Sequence, residues 1–196
     1  MPDPAPLIPL KAALSDLVDL LRSEKVPGVV IGGVATSLLG RPRMTRDIDL
    51  VVWLPEKRWD SFLKASGARG LEGRIRDALA FARRSKVLLL RHRPTGIDVD
   101  VSMGSLSYMK EVIDRGVWRA LGDLSLPLPR SEDLVVLKAV AHRPRDTADI
   151  EAILEAQPDL DREHARRWVG EFARALQAPE ILSDLEAIFS RLPARR

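Results

Sequence analysis

The fold is decided by residues 29–53, which read VVIGGVATSLLGRPRMTRDIDLVVW. A short apolar run leads into Gly32 and Gly33, and residues 34–39 are expected to be helical. After a basic loop, residues 47–53 carry β-branched and aromatic side chains, which favour a strand. The segment therefore predicts a strand, a glycine turn, a short helix and a second strand.

Asp47 and Asp49 are the strongest chemical feature of this segment. Residues i and i+2 of a strand face the same side, so the two carboxylates project together. They repel each other unless a cation or a proton lies between them. Such an oxygen-rich pair suits Mg²⁺ or Mn²⁺. The alternative is a strand edge that carries two solvated aspartates.

Two further features favour a metal site. Gly32 and Gly33 lie between a strand and a helix, where glycine lets backbone N–H groups approach a phosphate. Residues 97–102 predict another strand with the same alternation, which places Asp98 and Asp100 on one face. Because neighbouring strands lie about 4.8 Å apart, a third carboxylate can join the first two. Three carboxylates beside a phosphate-binding turn fit two-metal phosphoryl transfer.

The composition narrows the possible classes of protein. The chain has 196 residues and no cysteine, which excludes disulfides, thiolate nucleophiles and cysteine-ligated metal sites. Its apolar runs are too short to cross a bilayer, and its N-terminus lacks the basic stretch of a signal peptide. We therefore expect a soluble, cytoplasmic protein with no membrane partner.

The charge is almost balanced, because 31 Lys and Arg residues face 28 Asp and Glu residues. Arginine supplies 24 of the basic side chains. Its planar fork suits phosphate and carboxylate groups, but a GC-rich bacterial genome also produces arginine-rich chains. The net charge of +3 alone therefore gives no argument for a nucleic-acid partner.

The pattern of the chain changes near residues 127–129. Further strands are expected at residues 86–91 and twice within 117–128, and helices at residues 10–25, 56–65, 74–84, 106–115, 131–142, 146–156, 161–176 and 179–192. Residues 1–9 contain four prolines and are expected to form a loose arm. We predict an α/β (α+β) core over residues 1–128, with a mixed sheet flanked by helices, and a helical subdomain over residues 129–196.

Lys138 lies in an otherwise apolar run on a predicted helix. A lysine in such a place has to find a partner or extend to solvent. In one interpretation it neutralises the charge of a bound triphosphate. In the other it pairs with Asp146 or Asp149, which lie three residues apart on one helical face. The residues alone leave both interpretations open.

Residues 31–33 and 45–50 together resemble the nucleotidyltransferase superfamily typified by DNA polymerase β. The pattern of that superfamily is a glycine turn, an Asp-x-Asp pair and a third aspartate on a later strand. Residues 129–139 and 143–150 are similar to the AbiEii/AbiGii-type nucleotidyltransferase toxins of prokaryotic toxin–antitoxin systems. The resemblance covers about residues 28–154 and implies a nucleotidyltransferase-type sheet with a C-terminal helical extension.

The resemblance also implies roles for individual residues. The carboxylates that would bind Mg²⁺ or Mn²⁺ and take part in catalysis are Asp47, Asp49 and Asp100. The residues that would bind the NTP are Gly32, Gly33, Thr45, Arg46 and Asp146. Lys138 would join the catalytic residues at the triphosphate. Asp98 shares the face of Asp100 and is the alternative third carboxylate.

The implied reaction is metal-dependent transfer of a nucleoside monophosphate from an NTP to an acceptor. The expected acceptor is an RNA, such as a tRNA, or a protein, and the expected partner is a cognate antitoxin. One alternative is a nucleotidyltransferase that modifies a small molecule, similar to the aminoglycoside enzymes. Another is a nucleotide-binding module without catalysis, although the presence of all three carboxylates argues against it.

Overall fold

The computed structural model describes residues 10–192, so the arm predicted at residues 1–9 lies outside the described part. The strands of this part are β1 (Gly28–Ile31), β2 (Asp47–Val52), β3 (Leu71–Gly73), β4 (Val87–His92), β5 (Ile97–Met103), β6 (Val117–Leu121) and β7 (Leu124–Leu128). Its helices are α1 (Lys11–Ser23), α2 (Gly32–Leu39), α3 (Trp59–Gly67), α4 (Ala78–Ser85), α5 (Ser107–Asp114), α6 (Ser131–Ala141), α7 (Asp146–Ala156), α8 (Arg162–Leu176) and α9 (Glu180–Arg191).

Five strands form one mixed sheet in the order β1-β2-β5-β4-β3. The central strands β2 and β5 are parallel, whereas every other neighbouring pair in this sheet is antiparallel. Strands β6 and β7 form a separate antiparallel pair. The predicted mixed sheet flanked by helices is therefore confirmed.

The register of β2 and β5 places the acidic residues in pairs. Asp47 lies opposite Asp98, and Asp49 lies opposite Asp100. The residues between them point to the other side of the sheet and are fully buried: Ile48, Leu50, Val99 and Val101. One face of the two central strands is therefore apolar core, and the other face carries four carboxylates.

The structure differs from the predictions where a long-range contact overrides the local pattern. The helix expected at residues 74–84 begins only at Ala78, because Leu71–Gly73 adds an edge strand to β4. The backbone N–H of Arg74 then donates to the carbonyl of Leu89, 2.9 Å away. Helix α2 begins at Gly32, two residues earlier than expected, and that glycine has a positive φ of 61° directly after β1.

The described residues divide into two compact units. The first contains the residues up to Ala35 together with Arg43–Pro129, and it holds both sheets. The second contains Thr36–Pro42 and the residues from Arg130 onward, and it holds the last four helices. That the chain consists of two domains, divided between residues 128 and 129, stays a prediction.

Helix α6 is the centre of the second unit, because α7, α8 and α9 all pack against it. Its apolar side chains Leu134, Val135 and Val136 are almost completely buried. None of the helices within residues 10–192 has the length and apolar character that crossing a membrane requires.

The core behind the acidic face gives a first testable prediction. Leu50 is fully buried, so Leu50→Ala removes apolar contacts and leaves a cavity. We expect the free energy of unfolding to fall by about 2–5 kcal/mol in urea denaturation. Leu106→Ala is the matched control, because Leu106 is 50% exposed and its truncation should change stability by less than about 0.5 kcal/mol. Equal losses for the two variants would contradict the assignment of this face as core.

Candidate active site

The glycine turn brings the start of α2 against the acidic strand β2. Gly32 has no room for a side chain, since an added Cβ would lie 1.9 Å from Asp49 Oδ2. A Cβ on Gly33 would lie 2.4 Å from Thr45 Oγ1. The carboxylate of Asp49 therefore lies at the N-terminal end of α2, where the helix dipole favours negative charge.

Thr45 holds the first carboxylate of the pair. Its hydroxyl donates to Asp47 Oδ1 over 3.0 Å. The side chain of Asp47 is exposed, and that of Asp49 is half-buried. The structure thus brings together, at the start of β2, the predicted residues Gly32, Gly33, Thr45, Asp47 and Asp49.

Asp98 is neutralised by two arginines. Arg91 Nε donates to Asp98 Oδ1 over 2.7 Å, and Arg91 Nη2 donates to Oδ2 over 3.2 Å. Arg74 Nη1 lies 2.7 Å from Asp98 Oδ2. The hydrogen bonds from Arg91, supported by the charge and hydrogen bond of Arg74, hold the pKa of Asp98 below its usual value. Asp98 is therefore an ion-paired carboxylate on the rim of the acidic face.

Asp100 lies in a different electrostatic environment. Burial raises the pKa of its carboxyl, and the negative charges of Asp47 and Asp98 act in the same direction, while Arg74 opposes them. Arg74 Nη2 lies 3.0 Å from Asp100 Oδ1, within ion-pair distance. That oxygen is shielded from solvent and accepts no hydrogen bond of good geometry from the described residues. Asp100 thus has less compensation for its charge than Asp98.

The donor chemistry of this face fits a hard divalent cation, since carboxylate oxygens are the ligands that Mg²⁺ and Mn²⁺ prefer. The buried Asp100 Oδ1 is an oxygen that a cation would satisfy. No three side chains of the metal-binding types converge on a common point within residues 10–192. The carboxylates are therefore in register along the strands but not gathered around a metal position.

The basic loop before β2 contains arginines in different surroundings. Arg46 is exposed. Arg43 lies beside the turn, because its Nη2 would be 3.4 Å from a Cβ on Gly33. Arg41, which belongs to the second unit, pairs with Glu155. Arg43 thus lies beside the glycine turn.

Lys138 and its partners lie within the second unit. Lys138 Nζ donates to Asp146 Oδ1 over 2.9 Å and to Asp149 Oδ2 over 2.6 Å. The backbone N–H of Arg143 donates to the other oxygen of Asp146 over 3.0 Å. All three ionic side chains are less than a tenth exposed. The structure thus contains the pairing that the sequence left as an alternative, and the contact of Lys138 and Asp146 with nucleotide stays a prediction.

The model of the family "Nucleotidyl transferase AbiEii toxin, Type IV TA system" matches residues 13–196. The chain therefore belongs to the AbiEii nucleotidyltransferase toxin family, and the predicted resemblance is confirmed. It is a nucleotidyltransferase by family. A search of curated proteins finds no match.

Several solved structures share this fold, and one of them is a nucleotidyltransferase-like protein. An antigenic nucleotidyltransferase-like protein from Paracoccidioides brasiliensis is 17% identical with a TM-score of 0.54, over 91% of this chain and 92% of that one. The solution structure of the antibiotic-resistance factor ANT(2'')-Ia is 15% identical with a TM-score of 0.58, over 87% and 95%. Its crystal structure with adenylyl-2''-tobramycin is 16% identical with a TM-score of 0.57, over 85% and 98%. The predicted nucleotidyltransferase-type fold is confirmed.

The turn gives a prediction with an internal control. Gly32→Ala and Gly96→Ala both place alanine at a positive φ, 61° and 72° respectively, which costs about 1–2 kcal/mol of unfolding free energy. Only at Gly32 does the new methyl group also collide with a carboxylate, whereas the space at Gly96 is open. We expect calorimetry to show loss of Mg²⁺–NTP binding in Gly32→Ala and its retention in Gly96→Ala. If both variants still bound Mg²⁺–NTP, the prediction that the turn at Gly32 and Gly33 binds the NTP would be wrong.

The buried ionic cluster gives another prediction. Lys138→Ala leaves Asp146 and Asp149 buried without their cation, so urea denaturation should show a loss of about 3–5 kcal/mol. Lys110→Ala removes a lysine from an exposed pair with Asp114 and should cost less than about 1 kcal/mol. A loss for Lys138→Ala no larger than that of the control would show that the cluster contributes little to stability.

Proposed function

We propose that this member of the AbiEii family transfers a nucleoside monophosphate from an NTP to the hydroxyl of an RNA, such as a tRNA, or of a protein, as the toxin of a two-component pair. We further propose that Asp47, Asp49 and Asp100 bind the Mg²⁺ or Mn²⁺ that the reaction uses. The observation that carries the proposal is the parallel register of β2 and β5, which sets Asp49 beside Asp100 next to the glycine turn.

Asp100 is favoured over Asp98 as the third carboxylate. Asp98 already receives three arginine contacts, and those contacts keep its charge compensated. Asp100 has an oxygen that is closed to solvent and lacks a hydrogen bond. A cation gains more from the less compensated carboxylate, because Arg74 relieves only part of the free-energy cost of burying that charge.

Each residue of the site has a chemical task in this proposal. The first turn of α2, at Gly32 and Gly33, offers backbone N–H groups and a positive helix end to the phosphates. Asp47 and Asp49 would hold the divalent cation, which when bound would supply positive charge to the phosphates. Thr45 fixes the orientation of Asp47 through its hydrogen bond.

The proposed transfer exchanges one bond at the α-phosphorus of the NTP for another. A new bond forms between the acceptor oxygen and the α-phosphorus of the NTP, and the bond from the α-phosphorus to the bridging oxygen breaks. Pyrophosphate leaves with the electron pair of that broken bond. Asp100 accepts the proton of the attacking hydroxyl, a role that suits a carboxylate whose pKa is raised by burial.

Transfer of label tests the proposal. The protein is incubated with each α-labelled NTP, Mg²⁺ and either total RNA or total protein. We expect label to appear in one acceptor class, and Asp49→Asn and Asp100→Asn to lower the rate by about 100-fold or more. Asp98→Asn is the matched control, because it lies on the same face but is bound by arginines, and it should keep most of the activity. Equal losses in Asp98→Asn and Asp100→Asn would contradict the assignment of the third carboxylate.

The identity of the acceptor and the role as a toxin are tested in separate experiments. Tobramycin as the added acceptor tests the small-molecule alternative, which the likeness to ANT(2'')-Ia raises. Expression of the wild type should stop bacterial growth, and expression of Asp49→Asn should not. Co-expression of the product of a neighbouring small reading frame should restore growth if that product is the antitoxin. Binding of Mg²⁺–NTP without transfer to any acceptor would favour a catalytically silent module.

A further inference from the structure

We infer that Arg74 is a resident cation of the acidic face: it bridges Asp98 and Asp100 in the metal-free protein and releases Asp100 when a divalent cation binds. Arg74 then sets the affinity of the site for metal by competing with it. The inference rests on the proposed function, because it takes Asp100 as a metal ligand.

The two ends of one guanidinium contact different carboxylates. Arg74 Nη1 lies 2.7 Å from Asp98 Oδ2, and Arg74 Nη2 lies 3.0 Å from Asp100 Oδ1. The side chain is three-quarters buried, so its contacts are less screened than those of a surface pair. A guanidinium has a planar fork that can satisfy two carboxylates at once. Arg74 therefore supplies positive charge to an oxygen of Asp100, a carboxylate that we propose as a metal ligand.

The backbone fixes the point from which this side chain extends. Arg74 follows directly after the edge strand β3, and its N–H donates to the carbonyl of Leu89 on β4. Leu89 lies opposite Asp100 in the register of β4 and β5. The short edge strand β3, which the sequence did not predict, thus anchors the arginine beside the third carboxylate.

Asp98 remains neutralised when Arg74 releases Asp100. Arg91 makes both of its contacts to Asp98, and Arg74 holds Asp98 with its other nitrogen. Both contacts of Arg74 are ion pairs, and the contact with Asp100 is the longer one, at 3.0 Å against 2.7 Å for Asp98. The longer of the two contacts of Arg74 is therefore the one that a divalent cation has to replace.

Arg74 and a metal ion compete for Asp100 because both are positively charged. In the metal-free protein the guanidinium relieves the repulsion between adjacent carboxylates, so it stabilises the fold. Once a metal binds, the same positive charge repels it and shares its ligand. Removal of the charge should therefore weaken the metal-free fold and tighten metal binding. If Arg74 only held the Asp100 side chain in position, removal of its charge would weaken both the metal-free fold and metal binding.

Titration with Mn²⁺ alone tests the inference without any reaction. In Arg74→Gln we expect the Kd for Mn²⁺, from electron paramagnetic resonance of the free ion, to fall by about tenfold, the low end of what one nearby opposite charge does to a carboxylate. The melting temperature without metal should fall, and saturating Mn²⁺ should restore more of it than in the wild type. An unchanged or weaker affinity for Mn²⁺ would overturn the inference.

Two controls separate competition from other effects. Arg91→Gln removes a positive charge from the same face but not from Asp100, so it should lower the melting temperature and change the Kd for Mn²⁺ by less than about twofold. Equal tightening in both arginine variants would show a general charge effect and overturn the assignment to Arg74. If Arg74→Gln does not fold, Arg74→Met, which keeps the apolar stem without the charge, undergoes the same titration.

Failure of the inference is distinguishable from failure of the proposed function. If the wild type binds Mn²⁺ and Asp49→Asn does not, the metal site stands, and the Arg74 variants alone decide the inference. If the wild type and Asp49→Asn bind Mn²⁺ equally weakly, the metal site itself is wrong, and the inference falls with it.

Discussion

The parallel pairing of β2 with β5 is the constraint on which the candidate site depends. It sets two aspartates of one strand directly opposite two aspartates of the next, while the residues between them form the core. A shift of one residue would bury the carboxylates and expose the apolar side chains. Burial of Ile48, Leu50, Val99 and Val101 therefore fixes the register, and the register creates an acidic face whose mutual repulsion has to be relieved from outside the two strands.

The groups that relieve the repulsion among these carboxylates divide the acidic face into two halves. Asp98 receives charge from Arg91 on β4 and from Arg74 beyond β3, so the side toward the sheet edge is compensated by the protein itself. Asp47 accepts a hydrogen bond from the hydroxyl of Thr45, and Asp49 lies at the start of α2. Asp100 lies between the halves, with one shared arginine. A bound cation would therefore relieve the remaining charge of Asp100 beside Asp49, its neighbour in the register of the two strands.

Much of the acidic face could be predicted from the sequence, because the pattern that forms each of its strands is local. The alternation in residues 47–52 and 97–102 identifies both strands and shows which side chains share a face. Alternation cannot separate Asp98 from Asp100, since they lie on the same side. The pairing of Arg91 with Asp98 follows from the hairpin register, which the turn between β4 and β5 sets. The position of Arg74 depends on β3, a strand of three residues whose formation requires β4 as a neighbour. No local pattern encodes such a strand, and the sequence therefore placed Arg74 in a helix.

The buried charges of the second unit have different surroundings from the carboxylates of the acidic face. Lys138 is enclosed with the carboxylates of Asp146 and Asp149 and donates a hydrogen bond to each of them. A triphosphate could recruit the lysine only by taking it from these buried carboxylates, and the loss of such contacts is costly. The acidic face of the first unit has the opposite property, because its carboxylates are partly exposed and only partly compensated. Charge balance thus favours the first unit for the binding of a cation, and it gives Lys138 a stabilising role whether or not a nucleotide also reaches it.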